Sequence, residues 1–300
     1  MLCLARIIKV SLVTTIFSAI MSGAGVLLAG SLPWGVLLAP LNLRIASAVP
    51  WTIVPMTIYL WAYWRFVGGR LGSPATAEAR RRRLRAHPVS PAAWPMTIVT
   101  GLLGFGALLT LVTLMARVMA MPATTPIEAP PGMPPATMFT LLTMSSFVAG
   151  ITEEAGFRGY MQGAIEQRHG LSAGILVSGT MFGVLHFPNH PNAVLQMLPY
   201  YVAVSALYGG LTWATNSILP ALALHVGGDV WSLTRLWLTG RPEWQMSSTP
   251  PALIWETGLD ARFVTTLAVL IALTAMTAAL CLSLRRVAAA ADHSATPASA

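Results

Sequence analysis

The sequence predicts an all-α, polytopic transmembrane helical bundle of about eight spans, and three observations predict it. Hydrophobic residues make up 55% of the 300, charged residues only 9%, and the mean hydropathy is +0.66, outside the range of a soluble domain. The apolar residues gather into stretches at 7–32, 45–67, 94–121, 136–157, 171–187, 193–214, 218–238 and 262–284, each near the length a helix needs to cross hydrocarbon. None shows the alternating ten-residue pattern of a membrane barrel strand, so the spans are helical.

Taken in order, the first stretch follows Arg6 and Lys9 and is too long for the apolar part of a signal peptide, so it reads as span one. The second ends at Arg65, and 68–92, rich in Gly, Pro, Ala and Arg, reads as a loop containing Arg70, the run Arg80 to Arg83, and Arg85. Span three leads into "MPATTPIEAPPGMPP" (121–135), whose prolines exclude a regular helix and which holds no Lys or Arg. Loops rich in Lys and Arg stay in the cytoplasm. The 65–92 loop and both termini, with Arg6 and Lys9 at one end and Arg285 and Arg286 at the other, are therefore expected inside a cytoplasmic membrane, with 122–135 outside. Arg235, Arg241 and Arg262 near the outer 239–261 loop depart from the pattern but are accompanied by Glu243, Glu256 and Asp260. Placed this way, the formal charge of +8 signals topology and contact with anionic lipid, not nucleic acid. The tryptophans near span ends, Trp34, Trp51, Trp94, Trp231 and Trp237 among them, suit interfacial anchors. Cys3 and Cys281 lie at opposite ends of the chain and suggest neither a disulfide framework nor a metal cluster. Residues 1–287 form one transmembrane domain, with a small, polar, disordered tail at 288–300.

Spans one to three carry almost no polar side chains beyond Ser and Thr, so the chemistry belongs to the second half. An ionisable group in a span costs about 3 kcal/mol and needs a reason. The groups are Glu153, Glu154 and Arg158 in or near span four, His186 at the end of span five, and His225 and Asp229 in span seven. Glu154 and Arg158, four apart with the acid first, are expected to pair on a helix. Glu153, rotated by about 100°, is left as the unpaired carboxylate suited to general-base work. "QRHG" (167–170) is the polar break between spans four and five, so the two should form a hairpin. Glu153 lies sixteen residues before His169 and His186 sixteen after Gly170, which sets both at one height. Such a Glu/His pair can hold and deprotonate a water. "HVGGD" sets His225 and Asp229 on one helical face, with two glycines to let a backbone approach. His190 and the Glu166/His169 pair resemble metal motifs, but Pro188 and Pro191 break the first and the second lacks its other half.

Glu153-Glu154-x-x-x-Arg158 extended by "FRG" at 157–159, Phe182-x-x-x-His186 and His225-x-x-x-Asp229, in order on three helices, resemble the CPBP family of intramembrane proteases, the type II CAAX prenyl endopeptidases and Abi proteins. The resemblance covers a core at 137–235. It implies a hydrolase that cleaves a membrane-associated or prenylated, CAAX-like peptide within the bilayer. By that resemblance Glu153 and His186 activate the water, while His225 and Asp229 bind the substrate carbonyl or oxyanion. Glu154 and Arg158 support the first motif, and Phe182 packs beside the site. The family commonly has Asn where this chain has Asp229, and an ionised Asp cannot donate to an oxyanion. It must be protonated, orient His225 or ligate a metal. Family members are often labelled intramembrane metalloproteases, and Glu153, His186 and His225 could hold a divalent metal such as Zn in a three-ligand open site, although a Glu/His site needs none. Other classes remain: a catalytically silent scaffold or immunity protein, and a proton-coupled transporter using the same charges as a relay.

Overall fold

The computed structural model describes residues 2–122, 125–186, 194–246 and 249–295, and helices are the only regular elements among them. α1 (Leu2–Leu32) continues through a π-helical turn at Pro33–Leu38 into the short α2 (Ala39–Arg44). α3 (Ile53–Val67) leads to α4 (Pro74–Leu84) and then α5 (Trp94–Val118). α6 (Pro135–Glu153) runs into a nine-residue π-helical segment, Glu154–Gln162, and on into α7 (Gly163–His169). The chain finishes with α8 (Leu171–Leu185), α9 (Val194–Thr215), α10 (Leu219–Thr239), the single turn α11 (Ile254–Thr257) and α12 (Ala261–Ala295).

Four segments are long and apolar enough to cross a bilayer by length and composition: Val13–Arg44, Pro91–Val118, Pro135–His169 and Ala261–Ala288. The other expected spans are helical as well, but α3 and α8 have only 15 residues each, and α10 carries His225, Asp229 and Arg235, whose polarity lowers its hydropathy. The protein is thus an all-α integral membrane bundle, with side chains such as Phe17, Val36, Ile58, Leu102 and Ile271 exposed on its outer faces, as a lipid solvent permits.

Inside, α8 packs on α9, α6 on α10, and α12 along α5 and α9, while α1 lies against the π segment. That last contact rests on two glycines. A Cβ on Gly23 would stand 2.7 Å from the Gly156 carbonyl oxygen, and one on Gly156 2.9 Å from that of Gly23, so any side chain at either position would push α1 off the segment. The hairpin between α7 and α8 turns at Gly170, whose φ of +84° belongs to a region glycine tolerates.

Two expectations need correction, and a third gains detail. The loop read at 68–92 contains α4: Pro74 occupies its first turn, and the following Ala, Glu and Arg residues are good helix formers that need no apolar stripe because the helix lies at the surface. The arginine run is also divided in its roles. Arg81 and Arg82 pair outward with Glu78, whereas Arg85 pairs at 3.0 Å with Glu166, which explains that glutamate without a metal motif. Trp34 is buried, and its Nε1–H donates to Ser145 Oγ at 2.9 Å, so it is a core residue and not an interfacial anchor. The reading of Pro188, His190 and Pro191 as an outer turn lies outside the described residues, as do residues 296–300 of the expected tail, whereas 288–295 fall within α12.

Candidate active site

A cavity of about 510 Å³ opens among α5, α6, α8, α9, α10 and the segment after α10. Glu153, Phe182, His186, His225 and Asp229 all line it. The last residue of α6 delivers Glu153. The π segment begins immediately after it and widens the helix where Glu154 must turn inward, a placement typical of π turns near functional sites.

His225 stands at the centre. Its Nδ1 is 2.8 Å from Glu154 Oε1, and its Nε2 is 3.5 Å from Asp229 Oδ2 and 3.8 Å from Glu153 Oε2. Its ring stacks on Tyr208 at 5.0 Å between centroids. With Glu154 ionised, Nδ1–H is the donor, so the other nitrogen faces Glu153 and Asp229. Glu153 Oε2 is buried and has no hydrogen-bond partner among the described residues.

Glu154 therefore does more than the sequence suggested. It does meet Arg158, but at 3.5 Å, longer than its bond to His225. Arg158 is fully buried, its guanidinium lies 4.9 Å from the Phe182 ring centroid and 5.2 Å from that of Tyr208, and its three nitrogens make no hydrogen bond among the described residues. The cation is thus held mainly by aromatic faces and the Glu154 charge.

His186 ends α8, where its Nδ1 lies 2.8 Å from the Phe182 carbonyl and its ring stacks on Tyr201 at 4.5 Å. A carbonyl only accepts, so Nδ1–H donates and Nε2 is the acceptor nitrogen. The glycines of "HVGGD" behave differently from one another. Gly227 has open space beside it, whereas the place of a Gly228 side chain is taken by the Phe105 ring. Gly228 thus admits an aromatic residue of α5 and leaves less room for a substrate backbone than its sequence context suggests.

Residues 135–231 match the family model for Rce1-like proteins, the type II CAAX prenyl endopeptidases. This is the family that the three motifs resemble. The Rce1-like segment contains α6, the π segment, α7, α8 and α9, and it reaches into α10 past Asp229. No curated protein and no solved structure matches the chain. Among the described residues no group of three His, Cys, Asp or Glu side chains is placed to hold a metal ion. Glu153, His186 and His225, the trio named for zinc, all line the cavity but do not form such a group among the described residues.

Several cavity residues were not singled out from the sequence. Tyr201 and Tyr208 are seven apart on α9, two helical turns, a signal that was available. Tyr200 and Glu243 gave no such sign, because Glu243 lies outside every span and reaches the cavity only through the fold of the chain after α10.

Proposed function

We propose that the protein is an intramembrane endopeptidase that hydrolyses a peptide bond of a membrane-associated substrate. The observation that carries this reading is the buried Glu153 Oε2, which makes no hydrogen bond among the described residues and lines a cavity shared with His186 and His225. An acceptor oxygen without a donor in a low-dielectric site is costly, and a water in the cavity supplies the donor. In this reading Glu153 takes a proton from that water, and His186 Nε2 accepts the water's other hydrogen bond. The hydroxyl adds to the carbonyl carbon of the scissile bond, and the oxyanion that forms is stabilised by His225 when its Nε2 carries a proton. As the carbon–nitrogen bond breaks, Glu153 returns its proton to the departing amine. Glu154 is a positioning residue that fixes the His225 ring through Nδ1. Asp229 stands beside Nε2 and orients the same ring. No step passes through a metal.

The substrate class implied by the family is a prenylated or otherwise membrane-anchored peptide. The arginine distribution supports a multi-pass protein of the cytoplasmic membrane with both termini in the cytoplasm, residues 1–287 forming one domain around the 137–235 core. The test compares protein termini in membranes of cells carrying wild type or Glu153→Gln at matched, folded levels. Termini present with wild type and lost in the variant support proteolysis and name the substrate. Identical profiles under conditions where the protein acts leave a silent scaffold as the better account.

A further inference from the structure

The cavity is acidic beyond what hydrolysis requires. Three carboxyl side chains line it, those of Glu153, Asp229 and Glu243, and no Lys or Arg is among its lining residues. Glu243 is fixed there by its neighbours. Its Oε2 accepts from Ser232 Oγ at 2.7 Å, and its Oε1 accepts from Tyr200 Oη at 3.3 Å. The backbone that carries it is tied to α10 by Arg235, whose guanidinium donates to the carbonyls of Arg241, Pro242 and Gln245. Trp244 closes the same segment, its indole N–H donating to the Pro122 carbonyl at 3.1 Å. Arg235 is thus turned onto backbone oxygens and is not among the residues lining the cavity. Glu153 Oε2 meanwhile lacks a donor.

We propose, building on the peptidase reading, that the cavity selects a membrane-embedded peptide segment bearing a Lys or Arg side chain, which Glu243 and Asp229 receive beside the scissile bond, and that the bond cut is internal to the segment. Carboxyl groups crowded in an apolar site repel one another and gain from an entering cation. A basic side chain in lipid is costly unless it finds such a partner. The complementarity also acts as a filter. A free terminal carboxylate, such as a CAAX peptide presents, meets three carboxyl groups here and no Lys or Arg, so binding is penalised. Asp229 strengthens this filter relative to the Asn common in the family, because it adds a charge while still facing His225 at 3.5 Å.

The experiment uses the full chain carrying His186→Ala, which retains all three carboxyl groups, in phosphatidylcholine vesicles. The probes are single-span peptides of one sequence with a photo-crosslinker. They carry Lys, norleucine or Glu beside it and end in an amide or a free acid. The Lys peptide is expected to label residues of α9, α10 and the segment after α10 about tenfold more than the norleucine peptide, as a charge-assisted contact gives, and the Glu and free-acid forms least. Glu243→Gln and Asp229→Asn, both close in shape to the native residues, are each expected to reduce the Lys preference, and Glu243→Lys to shift it toward the Glu peptide. Equal labelling by all peptides, labelling by none, or a Lys preference unchanged in both isosteric variants overturns the proposal. Cleavage of the same peptides by wild type is read separately. Absence of cleavage with the labelling preference intact refutes the peptidase reading and leaves this one standing as binding selectivity.

Discussion

Replacing Glu154 with Gln tests how the site is held together. Both Glu154 and Arg158 are fully buried, and their closest approach is 3.5 Å. The amide oxygen of Gln can still accept from His225 Nδ1, where Glu154 Oε1 now stands at 2.8 Å, so the imidazole keeps a partner. Arg158 does not, because its three nitrogens have no hydrogen bond to fall back on among the described residues. Removing one partner of a buried pair costs about 3–5 kcal/mol. The aromatic faces of Phe182 and Tyr208, 4.9 and 5.2 Å from the guanidinium carbon, hold Arg158 equally in wild type and variant and so do not offset this loss, which stays at about 3–5 kcal/mol. Adding Arg158→Met removes the stranded cation and fills its volume with an apolar side chain, so the double variant should recover most of that loss. Equilibrium unfolding in mixed micelles reads both quantities. The reasoning fails if Glu154→Gln alone costs under about 1 kcal/mol, or if the double variant is no more stable than the single. Turnover separates stability from function: the double variant is expected to be folded and slow, since His225 loses a charged anchor in a reaction that builds negative charge beside its other nitrogen.

Other perturbations have equally direct readouts. His186→Ala, which removes the acceptor nitrogen aimed by the Phe182 carbonyl, should lower turnover on a verified substrate by about 10²–10⁴ with little change in KM, and full turnover in both it and Glu153→Gln would end the assignment of these two residues to water activation. Gly23→Ala, whose Cβ would stand 2.7 Å from the Gly156 carbonyl, should destabilise by about 1–3 kcal/mol, and an unchanged unfolding midpoint would show that α1 is not seated against the π segment. Asp260 lies just before α12, where its hydrogen bond from Arg117, and then the one from the Phe263 backbone N–H, lower its carboxyl pKa from the ordinary 3.8. A depressed folded-state value means that its contribution is fully present above about pH 3.8 and disappears as pH falls through the lowered value. Protection of the amides at the start of α12, their exchange measured against the intrinsic rate at each pH, should therefore fall on acidification across that window, and Asp260→Asn should abolish the acid response; an identical response in wild type and variant would refute the assignment.

The sequence disclosed the fold class because lipid leaves so few options: apolar stretches of span length without alternation admit a helical bundle and little else. It disclosed the candidate chemistry for the same reason, since ionisable side chains in α6, α8 and α10 stand out where each is costly. Partner choice was harder to read. An i,i+4 rule linked Glu154 to Arg158, yet Glu154 comes closer to His225, seventy-one residues away. The rule presumes a regular α-helix, and here the chain is π-helical from Glu154 to Gln162. Within that segment, Gly156 and Gly159 let other backbones come close. A Cβ on Gly156 would stand 2.9 Å from the Gly23 carbonyl oxygen of α1, and one on Gly159 would be tight against the Arg83 and Leu84 carbonyl oxygens at 3.1 Å. Only the packed bundle reveals those neighbours.

The same limit applies to charge. Read along the chain, Arg235 and Glu243 cancel as neighbours in a loop that departs from the positive-inside pattern. In the fold they are separated in function: Arg235 spends its donors on three carbonyls, and Glu243 turns into the cavity with Asp229 and Glu153. Net charge over a segment is therefore a poor guide to the potential inside a site, because backbone carbonyls can absorb a cation without adding any formal charge. The acidic cavity results from that separation. On the selectivity proposed above, the charge of the substrate, more than its hydrophobicity, is the property by which this site tells one membrane segment from another: in lipid every candidate segment is apolar, and a single Lys among apolar side chains costs about 3 kcal/mol until it meets a carboxylate.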